Sequence, residues 1–85
     1  MELEKIRELA AGILELPKEL VTENADFTEE LGADSLELFR IVTAVEEAFD
    51  VMIPTENAVG IRTAGDAAAA LQALSGRSAE RGRKW

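Results

Sequence analysis

The chain has 85 residues, nine Lys and Arg against seventeen Asp and Glu, and neither cysteine nor histidine. That length makes one domain near the lower size limit for unaided folding, and the missing cysteines exclude disulfides and thiolate metal sites as its staples. Residues 1–76 carry sixteen acids and five bases, a net −11, against +3 over residues 77–85; such a body lacks the basic footprint that nucleic acid requires and suits partners with basic docking surfaces.

Residues 3–16 read as a first helix. Leu3, Ile6, Leu9, Ala10, Ile13 and Leu16 recur at helical spacing with charged residues between them, and Pro17 stops the run. Residues 17–34 form a long connection, which Leu20, Val21, Phe27 and Leu31 are expected to pack down. Asp26 and Glu29 are placed to cap a short turn over residues 27–31. A second helix runs from Ser35 to about Phe49, with Asp34 as N-cap and Glu37 three residues on as in a capping box. Its core stripe is Leu38, Ile41, Val45 and Phe49.

A break over Asp50–Pro54 follows, with Ile53 expected to be buried. Thr55 then caps a short third helix over about 56–60, ended by Gly60. Thr63 and Asp66 make another capping box for a fourth helix over about 64–74, which buries Ala67, Ala70, Leu71 and Leu74. Ser75-Gly76 is read as the end of the domain, and residues 77–85 as a disordered basic tail. The predicted fold is therefore all-α: a small four-helix bundle with a long first connection and a short third helix, 47% hydrophobic in composition and thus able to build an apolar core.

No apolar run approaches the ~20 residues of a membrane span. The start Met1-Glu2-Leu3-Glu4 has no basic region of the export type. A monomer in the cytoplasm, without membrane insertion, is expected.

Ser35 is the residue that stands out. It meets the positive end of the second helix, where unpaired N–H groups and the helix dipole favour an attached phosphate. Gly32 lets the backbone turn ahead of it. Asp-Ser pairs are also common as plain helix starts, so the serine by itself is more often an ordinary second cap than an attachment site.

The surrounding pattern goes further. Leu31-Gly32-Ala33-Asp34-Ser35-Leu36, with Val21–Phe27 before it and Glu46-Glu47-Ala48-Phe49-Asp50 and Ile53-Pro54 after it, resembles the acyl carrier protein family over about residues 3–74. The alanine of Gly32-Ala33-Asp34-Ser35 is closer to fatty-acid and polyketide carriers than to peptidyl carriers. The resemblance implies that a phosphopantetheinyl transferase moves 4′-phosphopantetheine from coenzyme A onto Ser35, with Asp34 and Leu36 as motif neighbours. The arm's thiol would then hold acyl groups as thioesters for acyl-loading, condensing and acyl-transfer enzymes with basic docking patches. It also implies a docking surface made of Leu36, Glu37, Phe39, Arg40, Thr43, Glu46, Glu47 and Met52. Phe39 faces a partner there or tucks beneath the third helix. Arg40 stands where the family usually has an acid, and either opposes a basic partner or pairs with Glu37. Arg40 and Met52 together point to a dedicated lipid or polyketide-type pathway more than to bulk fatty-acid synthesis.

Three other classes compete. An enzyme is disfavoured because Ser35 has no His, Cys or Tyr to serve as a base, and carboxylates titrate too low unless buried; no catalytic residue is assigned. A calcium sensor is disfavoured because no segment alternates oxygen ligands around a central glycine, and no metal site is expected. A carrier of amino-acyl or other non-fatty groups, and an unmodified helical interaction module, remain as alternatives.

Overall fold

Helix α1 (Glu2–Leu14) buries Ile6, Ala10 and Ala11 on one face. The computed structural model describes the backbone of residues 2–84 and the side chains of residues 2–74. α1 ends two residues before the expected Leu16. Glu15 takes a left-handed conformation (φ 57°) and the Leu16 N–H donates to the Ala11 carbonyl at 3.0 Å. The closure is a Schellman-type cap. It comes early because a residue before proline is driven out of the helical region, and Leu16 precedes Pro17.

The long connection is tied down at several points. Lys18–Leu20 form a 3₁₀ turn, and Arg7 of α1 reaches across to its carbonyls, donating from Nε to Val21 O at 2.6 Å and from a terminal nitrogen to Lys18 O at 3.1 Å. Val21 and Phe27 are wholly buried, whereas Leu20, expected to pack, is 53% exposed. Asp26 caps the next turn as expected, its Oδ1 accepting the N–H groups of Thr28 and Glu29 at 2.9 and 2.8 Å. Glu30, not Glu29, reaches back to the Asp26 N–H at 2.8 Å. Glu29 turns outward to Arg62 instead.

Helix α2 (Ser35–Phe49) buries Ile41 and Val45, with Leu38 and Phe49 packed at the edge of the core. Asp50 closes it in a left-handed conformation, and the Val51 N–H bonds back to Glu46 O at 3.1 Å. Ile53 is buried. Helix α3 (Thr55–Ala58) follows Pro54. Thr55 is its first residue and makes no side-chain cap: the helix starts one residue earlier than expected, which puts Pro54 at the N-cap, where only its backbone carbonyl accepts, from the Asn57 and Ala58 N–H groups at 2.9 Å.

Helix α4 (Ala64–Lys84) starts on Thr63, whose hydroxyl accepts the Asp66 N–H at 3.0 Å. Asp66 in turn accepts from the Arg62 N–H at 3.0 Å, one residue earlier than a capping box would place it. Ala64, Ala67, Leu71 and Leu74 enter the core, while Ala70 is only partly covered. α4 does not stop near Leu74: Ser75-Gly76 lies within the helix, since one glycine costs a helix only about 1 kcal/mol and its neighbours are helix-tolerant. The tail expected over 77–85 has its side chains, and Trp85 entirely, outside the described residues. α1 packs against both α2 and α4, and no strand occurs among the described residues.

Candidate functional site

The approach to Ser35 is set by the connection. Phe27, fully buried, accepts the Ala33 N–H at 2.7 Å and donates its own N–H to Arg62 O at 2.8 Å. Gly32 between them adopts φ +78°, a left-handed conformation that disfavours side chains. Ala33 is buried, and the chain then emerges at Asp34 in an extended conformation and enters α2.

Asp34 and Glu37 form the expected capping box. Asp34 Oδ1 accepts the Glu37 N–H at 2.8 Å, and Glu37 Oε1 accepts the Asp34 N–H at 3.1 Å. Ser35, the first residue of the helix, is exposed. Its hydroxyl therefore projects into solvent at the positive end of α2, where an esterified phosphate is electrostatically favoured.

A groove of about 470 Å³ opens beside Ser35 between α2 and α3. Leu38, Phe39 and Val42 line it from α2, Ile53 from the connection, and Ala58, Val59 and Ile61 from the far side. Besides Ser35, Thr55 and Glu46 are its polar members; the rest of the lining is apolar and suits an apolar chain.

The far wall is held by Arg62. Its guanidinium bridges Asp26 at 2.9 Å and Glu29 at 3.3 Å, joining the segment after α3 to the connection that precedes Ser35. The Asp26 carboxyl is held below its ordinary range, first by the Glu29 N–H and then by the Thr28 N–H and Arg62, with burial acting the other way. Arg62 is raised in turn, chiefly by the Asp26 charge. Sequence reasoning does not reach this cluster, because Arg62 lies more than thirty residues from both acids.

The residues assigned to docking are distributed unevenly. Leu36 (65%), Phe39 (66%) and Met52 (77%) are the exposed apolar ones, and Val59 (77%), which the sequence did not single out, joins them from the end of α3. Phe39 is not tucked beneath α3, although its ring borders the groove. Glu47 and Arg40 are exposed and Thr43 is half-buried. Glu46 is half-buried and its Oε2 accepts the Ile53 N–H at 2.7 Å, so one of its oxygens is already engaged. Glu37 is engaged in the capping box, and among the described residues Arg40 makes no ion pair with it or with any other acid.

No cluster of metal-ligating side chains occurs among the described residues, and none of the described helices is long and apolar enough to cross a membrane.

The model of the phosphopantetheine attachment site family matches residues 4–71. An acyl carrier protein of Syntrophobacter fumaroxidans is 48% identical over 62 residues, covering 73% of this chain and 76% of its own. One from Phenylobacterium zucineum is 44% identical over 70 residues, covering 82% and 89%. Among solved structures, one described as an acyl carrier protein of Mycobacterium tuberculosis superposes with a TM-score of 0.78 at 31% identity, over 87% of this chain and 99% of that one.

Proposed function

This chain belongs to the acyl carrier protein family, whose attached cofactor is phosphopantetheine, and on that premise we propose that Ser35 is the residue that bears the arm. One observation carries the assignment: Ser35 is an exposed hydroxyl at the first turn of α2 and at the mouth of an apolar groove. The helix end favours the phosphodiester, and the groove offers cover to an apolar acyl chain. When bound, the cofactor supplies the thiol that holds the acyl group as a thioester. The protein orients and shelters that group, and the reactions on it belong to partner enzymes, so the chain itself is a carrier and not a catalyst.

Those partners are a phosphopantetheinyl transferase, which uses coenzyme A, and acyl-loading, condensing and acyl-transfer enzymes with basic docking patches. Support for such patches comes from the net −11 over residues 1–76 and from the apolar group Leu36, Phe39 and Met52 around Ser35. Asp34 and Leu36 flank the attachment point, with Glu37, Arg40, Thr43, Glu46 and Glu47 completing the docking face. A cation at position 40 and an uncharged Met52 favour a dedicated pathway. The setting is cytoplasmic and the working unit a monomer.

The test is to incubate the protein and its Ser35→Ala variant with coenzyme A and a broad-specificity transferase and to measure intact masses. The wild type is expected to gain one phosphopantetheinyl group and the variant none. A gain that survives in Ser35→Ala overturns the assignment; no gain in either leaves the exposed apolar face as that of an interaction module.

A further inference from the structure

Arg40 is the only cation on α2, where the acids are Glu37, Glu46 and Glu47. Two of these have carboxylate oxygens engaged by backbone N–H groups, Glu37 by Asp34 and Glu46 by Ile53. Arg40 itself is exposed and without an ion pair among the described residues. Its position relative to Phe39 gives this weight. The Phe39 ring borders the groove between α2 and α3 and also a shallow hollow of about 290 Å³ between α1 and α2, which Ile13, Arg40 and Glu47 share. A partner that covers this ring on both sides brings Arg40 inside its footprint. A guanidinium taken from water without a counter-charge weakens a complex, and one facing further cations weakens it more.

We propose that Arg40 selects the enzymes this carrier serves: a matching docking surface receives Phe39 in an apolar socket and sets a carboxylate against the Arg40 guanidinium, while a uniformly basic surface is disfavoured. This rests on the carrier reading of Ser35. The selection acts on encounter and binding, so it belongs in KM and leaves kcat unchanged.

The probe is a condensing enzyme with a uniformly basic carrier-docking patch. It is assayed on wild type, R40E, R40Q and K5E, each bearing the arm and the same acyl group and each checked by intact mass. Lys5 is an exposed residue of α1 that borders neither the groove nor the hollow, and K5E changes the net charge as R40E does. At an ionic strength of about 0.02 M, R40E should lower KM about threefold to fivefold, R40Q by less, and K5E by clearly less than R40E; at about 0.5 M the differences should collapse. Glutamate scanning of the probe's patch should then find a position that lowers KM for wild type and raises it for R40E. Equal effects of R40E and K5E, unchanged KM in R40E, or no such position overturns the selection by Arg40 and leaves the carrier intact. A wild type that takes no arm overturns the carrier reading itself, and this proposal with it.

Discussion

The N–H of Ile53 donates to Oε2 of Glu46 at 2.7 Å, fastening the α2–α3 connection to the last turn of α2. Both residues line the groove beside Ser35, so this bond helps set the groove's width at one end. Glu46 belongs to the acidic run Glu46-Glu47 that the sequence presents as surface, yet its carboxylate performs a structural task.

Removing that acceptor should cost stability. A hydrogen bond to a charged group contributes about 1.5–3 kcal/mol, and its loss leaves the Ile53 N–H unpaired beside a buried side chain. Glu46→Ala is expected to destabilise by about 1.5–2 kcal/mol in urea titration, and Glu46→Gln, which retains an oxygen acceptor, by less. Equal losses in the two variants would show that the carboxylate oxygen is not the group that matters.

Asp34 and Ser35 are neighbours with opposite expected sensitivities. Asp34→Ala deletes the cap on the Glu37 N–H and should cost about 1 kcal/mol. Ser35→Ala removes an exposed hydroxyl at the first helical position and should stay within about 0.5 kcal/mol of wild type. Urea midpoints of the two variants check this, and they separate the chemical role of Ser35 from any role in folding.

The pKa of Asp26 lies below its ordinary 3.8. A carboxyl with a lowered folded-state pKa stabilises the fold in full above the unfolded-state value, and the contribution fades as pH falls through the folded-state value. Asp26→Asn should therefore lower the urea midpoint at neutral pH. Below about pH 4 the gap between variant and wild type should narrow. A gap that stays constant from pH 7 to about pH 3 would assign the effect to shape and not to charge.

Self-repulsion within the body is the subject of the last expected outcome. A net −11 over residues 1–76 opposes compaction, so added salt or millimolar divalent cations should raise Tm. At this size each kcal/mol of relieved repulsion corresponds to about 4–8 °C. Thermal melts across a salt series measure it, and a flat series would mean that the carboxylates are spaced without strain.

Local chemistry made α2 and its serine legible. A capping box, an apolar stripe at helical spacing and a glycine that must turn are written within a few consecutive residues, and Asp34, Glu37, Ile41, Val45 and Gly32 stand as the sequence implies. The same local logic misjudges helix ends: α3 begins at Thr55 and not after it, so the expected threonine cap does not form, and α4 runs through Ser75-Gly76. Residues far apart in the chain escaped it altogether. Arg62 finds Asp26 across thirty-six positions, Val59 joins the exposed apolar residues from the end of α3, and Glu46 gives one carboxylate oxygen to the Ile53 N–H. Periodicity tells which side of a helix is apolar. Which backbone N–H a surface carboxylate meets, and whether Phe39 lies under α3 or beside the groove, depends on how the helices pack, and that was decided only in three dimensions.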